Sequence, residues 1–413
     1  MASASRRVTD FHSLHLGESI YKPDPNRVRE DAALMDKTHL GFYASVFVAS
    51  LGLGMYTYFV PIFAQRFGAT FLDLGYIGTA AAATYAVAPI LIGHLADRVN
   101  RLRLYGMAIL INFIATIALA FSRSVGYIIL VRALGGLGFA FFWPVTEILV
   151  LDLAPREQRV KQMGLYSVAW GSAFLIGPSL GGVVIQNLGF FLLFVISSTL
   201  ITLAAIPAAF VVLPEHGKRM GGAIRLSEQL GAMRRLFPWY VMTACYGIIF
   251  NIFASIFPGY ANSVGIGAVL VGVLFTAFGM ARVVAYATSD RFLHFGEKKA
   301  LMAVSLLIGI GCVAIALSPS FIVFLVAIVC LGGCFAVIFP LTINLISRHF
   351  PDQQAGAAVG SYESVYGIGS MIGPIFAGSV AVFLDVRLSF ISASLFAILM
   401  MIMVASAKTY SKN

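Results

Sequence analysis

Four ionisable side chains sit where the surrounding sequence is otherwise apolar: Arg132, Glu147, Arg282 and Glu363. Such a group is costly away from water unless it has a partner or a wet cavity, so each is a candidate for transport chemistry. Arg132 and Arg282 can each hold a carboxylate or phosphate through paired N–H donors. Arg132 could equally bias a neighbouring acid or reach outward while tying helices together. Glu363 is a candidate proton carrier, with an ion pair to Arg282 as the structural alternative. Other chemistry is sparse. Cys330 and Cys334 share a helix face, but a free Cys usually packs as a small hydrophobe, and His12 and His15 read as part of a polar tail, so no metal site is expected. No HExxH, GxSxG or phosphate-binding loop occurs and no nucleophile–base pair is visible, which argues against an enzyme. No cofactor is expected either, and a proton gradient is the expected energy source.

The elements that must position these groups follow from composition. The chain has 413 residues, 59% hydrophobic and only 11% charged, against about 25% charged in soluble proteins. Apolar runs fall near 40–62, 72–94, 104–122, 125–149, 160–186 and 188–212, then near 238–261, 265–289, 299–318, 320–347, 355–380 and 386–407. Each is close to the roughly 20 residues a helix needs to cross a bilayer. Lys and Arg crowd the connectors on one side, while the other side holds only Arg66, Arg123 and Arg387. Both termini are therefore expected in the cytoplasm of a plasma-membrane protein. The net charge of +10 is then a topology signal rather than a nucleic-acid footprint. Residues 1–37 lack the apolar core of a cleavable signal.

The polar stretch 213–237 divides the runs six and six, giving bundles 38–212 and 238–407 with tails 1–37 and 408–413. An offset of 196 residues sets "LGFAFFWPVT" (137–146) over "GCFAVIFPLT" (333–342). The same offset pairs Gly164 with Gly360, Ala173 with Gly369, Gly177-Pro178 with Gly373-Pro374, and Gly182 with Gly378. An offset of 193 pairs Asp97-Arg98 with Asp290-Arg291. Two related six-helix halves place a substrate site at their interface, reached by rocking one half against the other. The expected fold is an all-α integral membrane protein of twelve transmembrane helices in two pseudo-symmetric six-helix bundles, working as a monomer on a small-molecule substrate in the lipid bilayer.

In these motifs the chain resembles the major facilitator superfamily over 38–407. Between spans 2 and 3 it reads Gly93-x-x-x-Asp97-Arg98-x-Asn100-Arg101, with Asn100 where the family has glycine. Asn is tolerated in the left-handed conformation expected of a helix end there. Span 4 carries Arg132-x-x-Gly135-Gly136-x-Gly138, similar to the family's second motif. Span 5 has Gly164, Ala173, Gly177-Pro178 and Gly181-Gly182, which looks like the pattern associated with antiporters, although its repeat in span 11 fits a helix-packing device. The resemblance implies a cytoplasmic gate of Gly93, Asp97, Arg98, Arg101, Asp290 and Arg291, latched by Glu147 onto Arg101 or Arg98. It also implies that Arg282 matches an arginine that several anion carriers use. Trp143, Tyr166, Trp170, Asn251, Asn344, Tyr362 and Tyr366 are candidate cavity residues. The expected function is secondary transport of a small organic solute by alternating access, as proton-coupled efflux. The alternative is an organic-anion carrier, by proton symport or anion exchange, that uses Arg132 and Arg282; a receptor or enzyme on the same bundle is a more distant one.

Overall fold

The computed structural model describes residues 25–96, 99–154, 158–211, 234, 236–287, 296–347 and 355–407, and these are helical almost throughout. An apolar chain in lipid has no water to satisfy its amide groups, so each crossing must bond to itself as a helix. The first half holds α1 (Pro25–Thr57), α2 (Val60–Gln65), α3 (Phe71–Ala96), α4 (Arg101–Ala120), α5 (Val125–Leu153), α6 (Arg159–Leu203) and α7 (Ala205–Ala208). The second holds α8 (Phe237–Ser263), α9 (Ala268–Ala287), α10 (Glu297–Leu317), α11 (Phe321–Ser347), α12 (Ala355–Phe383) and α13 (Val386–Ser406). Most of the linker 213–237 lies outside the described residues, as do Asp97, Arg98, Asp290 and Arg291.

Ten described segments are long and apolar enough to cross a membrane. One of them contains two crossings. A straight helix of the 45 residues of α6 would run roughly 68 Å at 1.5 Å per residue, more than twice a bilayer core. The chain breaks at Gly189, where φ is 80° and ψ is 175°, a conformation essentially reserved for glycine. With α3 added, the twelve expected crossings are present. Local chemistry sets several boundaries. Ser124 and Asp385 accept backbone N–H bonds from Tyr127 and Arg387 at the starts of α5 and α13, and Asp73 accepts from both the N–H and the hydroxyl of Thr70 at the start of α3. Asn100 corrects the sequence reading. Its φ is −58°, not left-handed, and its side chain caps α4 by accepting from Leu102. Glycine is therefore replaced by a better N-cap.

The halves are built alike. α1 packs on α6 and α3 on α5, and likewise α8 on α12 and α9 on α11. They meet mainly along two helix pairs, α3 with α12 and α6 with α9. Large side chains such as Leu130, Ile322 and Leu395 are exposed on the outside, the surface that a bilayer rather than water accommodates. The protein is an integral, multi-pass membrane protein.

Candidate functional site

The α2–α3 and α8–α9 connections lie at the end of the bundle opposite the termini, the far end. There the halves are bonded together. Gln65 donates to the carbonyl of Gly259 (3.0 Å), and Asn262 donates to the side chain of Gln65 (2.9 Å). Deeper in, two threonines repeat one contact. Thr79 of α3 donates to the carbonyl of Met371 on α12 at 2.8 Å, and Thr276 of α9 donates to that of Leu175 on α6 at 2.9 Å. Each carbonyl lies three residues before a helix proline, Pro374 or Pro178, in the turn where the missing proline N–H loosens the helix ladder. Thr276 gives its proton to Leu175, so the neighbouring Ser179 hydroxyl at 2.7 Å donates to Thr276.

The glycines of the repeated motif divide between two tasks. Gly177 and Gly181 lie against Gly54 and Met55 of α1, and Gly369 and Gly373 against Ala244 and Ile248 of α8, so these four pack each half internally. Gly182 lies against Ala268 and Val269 of α9, and Gly378 against Phe71 and Leu72 of α3, which makes them contacts between halves. Close backbone approach requires glycine at all six. Gly164 departs from the packing expectation: a methyl group there would meet nothing within 4 Å, because it sits on the terminal side of the contact. Gly360 falls in the first turns of α12, in a stretch for which only the backbone is described.

Below this seal lies a cavity of about 340 Å³ between the halves. Arg132 of α5 and Arg282 of α9 both line it, and among the described residues they are the only charged ones that do. Trp143, Trp170, Asn251 and Tyr366 line it as well. Trp143 meets Trp170 edge-on at 5.4 Å and lies 6.0 Å from Phe174, a three-ring wall from the first half. Arg282 donates to the Tyr286 hydroxyl at 3.3 Å and lies 5.6 to 5.9 Å from the rings of Phe278, Phe250 and Tyr286. Such ring contacts offset part of the cost of holding a guanidinium in a dry site. The Arg132 Nε is buried without an acceptor among the described residues. Asn251 donates to the Ser370 hydroxyl at 2.8 Å and is thereby fixed on the cavity wall. Toward the far end the ceiling is Tyr58 stacked on Phe275, centroids 3.9 Å apart and 16° from parallel. Among the described residues this is the only ring contact that crosses between the halves.

Other candidate positions lie elsewhere. Tyr166 is buried within the first half, its hydroxyl 2.9 Å from that of Thr146. Tyr362 is buried against Phe339, with ring centroids 5.3 Å apart. Each lies one turn nearer the terminal end than a cavity residue of the same helix, Trp170 or Tyr366, and its ring is enclosed by packing neighbours. Asn344 belongs to α11, with its side chain outside the described part. Glu363 does not line the cavity and makes no pair with Arg282 among the described residues. It lies instead within electrostatic range of Glu147, an acid of the other half, and both lie within range of Tyr85. Of the two pairings expected for Glu147, the one with Arg101 is not formed, and the one with Arg98 falls outside the described residues. Arg101 bonds to Asp152, not Glu147. Asp152 lies five residues nearer the terminal end of α5, roughly 7.5 Å of helix, which brings it level with the start of α4. Gly93 lies in α3; Asp97, Arg98, Asp290 and Arg291 are outside the described residues.

Several important residues gave no sequence signal. Tyr58 and Phe275 are ordinary apolar-run aromatics until the halves are docked. Tyr286 could have been noticed, since it follows Arg282 by one helical turn.

Residues 42–293 and 239–411 match the family described as Major Facilitator Superfamily. The chain belongs to the major facilitator superfamily. As a member it is a membrane transporter of small molecules rather than an enzyme. It is 22% identical over 353 residues to the quinolone resistance protein NorA of Staphylococcus aureus (strain MSSA476), covering 84% of this chain and 90% of that protein. A shorter stretch of 169 residues, 41% of this chain and 42% of the other, is 28% identical to multidrug resistance protein 2 of Bacillus subtilis (strain 168). Among solved facilitator structures, a mutant of the nucleoside transporter NupG aligns with a TM-score of 0.77 at 13% identity, over 89% of this chain and 99% of its own. A bacterial homolog of the human lysosomal transporter Spinster aligns at 0.72 and 16% identity, over 92% and 97%. At such identities the likeness is one of fold.

Proposed function

We propose that this facilitator exports small organic solutes by alternating access in exchange for protons, and that the state described is the one open toward the termini. The observation that carries this reading is the one-sided seal. Every described hydrogen bond between the halves lies at Thr79, Leu175, Thr276 and Met371 or farther from the termini. A cavity closed at one end by small, separable contacts is what a rocking carrier needs, and the near-equivalence of the α3–α12 and α6–α9 contacts lets both open in one rotation. The excess of Lys and Arg in the connectors at the terminal end supports a cytoplasmic opening. The names of the NorA and multidrug resistance relatives support export of drug-like compounds. Glu363 is the proposed coupling acid. Glu147 and Glu363, one from each half, repel when both are charged, and neutralising one of them by a proton removes that repulsion against closing the terminal end.

The test is transport in proteoliposomes under an imposed pH gradient, with a fluorescent quinolone as the first probe. Proton flow in one direction should drive the probe in the other. Accumulation of the probe on the side that receives protons would identify a symporter, and indifference to the gradient would remove proton coupling.

A further inference from the structure

Among the described residues the central cavity carries two cations and no anion. Arg132 comes from α5 in the first half and Arg282 from α9 in the second, and no described Asp or Glu lines the space they share. The described ion pair of the chain is Arg101 with Asp152, so neither cavity arginine is neutralised by a described acid. Arg282 has one hydrogen bond, to Tyr286, and ring faces around it. Among the described residues that leaves most of its five N–H donors without a protein acceptor. The Arg132 Nε is likewise buried with no acceptor among them. Buried donors without acceptors are costly, and a cavity that keeps two of them cationic is arranged for something that brings negative charge.

The walls say what else that ligand has. Trp143, Trp170 and Phe174 form a ring surface on one side, and Phe250 and Phe278 on the other. Flat apolar bodies bind such surfaces, while the few polar groups fix orientation. Resting on the transporter reading above, we infer that the cavity binds an aromatic organic anion, its ring body between the two aromatic walls and its acidic group held by Arg132 and Arg282. Because the arginines belong to different halves, the anion bridges them. A cation of the same shape meets two like charges and is rejected.

The inference also bears on direction. In a cell with a negative interior, outward movement of a monoanion gains about 2.3 kcal/mol per 100 mV, so the membrane potential drives export of this substrate class.

The experiment uses the full chain in nanodiscs of zwitterionic lipid and three probes of one shape: naphthalene-2-sulfonate, 2-naphthamide and 2-naphthylmethylammonium. Binding is read by equilibrium dialysis, with empty discs subtracted. The sulfonate should bind at least about tenfold more tightly than the amide, the scale of a charge-assisted hydrogen bond, and the ammonium more weakly than either. Arg132→Gln and Arg282→Gln should each remove most of that preference while leaving amide binding unchanged. Equal affinity for sulfonate and amide, a preference for the ammonium, or no binding by any of the three overturns the assignment, and the wild-type comparison stands even if a variant misfolds. Movement of the amide or the ammonium across proteoliposomes in preference to the sulfonate would leave the exporter reading intact while the anion assignment fell. A sulfonate that binds but is never moved would do the reverse.

Discussion

Adding one methyl group at Gly182 should loosen the far-end seal without weakening either half. A Cβ built there lies 2.7 Å from the Ala268 carbonyl oxygen and 2.9 Å from the Val269 Cα, and one at Gly378 lies 2.6 Å from the Phe71 oxygen and 3.1 Å from the Leu72 Cα. Ordinary contact begins near 3.4 Å, so each helix pair must separate by about 0.7–0.8 Å. Overpacking of this kind costs about 1–3 kcal/mol. The neighbours at both positions belong to the other half, so the cost falls only on the state in which the far end is shut. That corresponds to a population shift of roughly 5- to 150-fold toward far-end opening. The two sites lie on separate interfaces, so their effects should add in the double variant. The assay is double electron–electron resonance between spin labels at Asn187 and Gly267, both exposed near the far end on opposite halves, with the four native cysteines replaced by alanine. Gly182→Ala and Gly378→Ala should lengthen the label distance. Gly177→Ala is the internal control, because its neighbours Gly54 and Met55 belong to the same half; it should lower the melting temperature and leave the distance alone. An unchanged distance in a folded Gly182→Ala protein, or an equal change in Gly177→Ala, would refute the division of the glycines between the two tasks.

Further outcomes follow from the same contacts. Thr79→Val removes one hydrogen bond between the halves and Thr276→Val removes two, to Leu175 and Ser179; at about 0.5–1.5 kcal/mol per bond each should raise the far-open population several-fold in the same distance measurement, Thr276→Val the more. Glu363→Gln should abolish stimulation of transport by a pH gradient while solute binding by dialysis persists; retained stimulation would remove Glu363 from coupling. Gly189→Ala forces a side chain into a backbone region essentially closed to it, and a loss of roughly 1–3 kcal/mol should appear as a lower melting temperature. Asp152→Asn should weaken the pairing at the terminal end of α4, whereas Glu147→Gln should not, since Arg101 bonds to Asp152; charge-swapped Arg101→Glu with Asp152→Arg restoring the melting temperature checks the pair directly.

Much of the architecture was legible because lipid leaves a chain few choices. Apolar runs long enough to cross, separated by short polar connectors, must become helices, and several observed boundaries are set by side chains at Asp73, Ser124 and Asp385 that bond the first turn. Asn100 was legible as a helix-end residue but was given the wrong role. The left-handed glycine it replaces is a family habit, whereas the Asn itself caps the helix that follows. The motif glycines could be found by their repeat, yet nothing in that repeat tells Gly177 from Gly182, five residues on, which meet neighbours in different halves.

The sequence by itself determined that this is a duplicated helical membrane protein and which buried charges need explaining, because burial in lipid makes a charge conspicuous wherever it falls in the chain. Which charges meet was decided by the tertiary structure. Arg132 and Arg282 are 150 residues apart and share one cavity, while Glu363, similar in depth to Arg282, is not among its lining residues and lies within electrostatic range of Glu147. Depth along a helix can be counted from its end at 1.5 Å per residue. The direction in which each residue points depends on how two six-helix bundles are rotated against each other. That rotation is set by contacts such as Thr79 on Met371 and Tyr58 on Phe275, between residues that no local pattern connects.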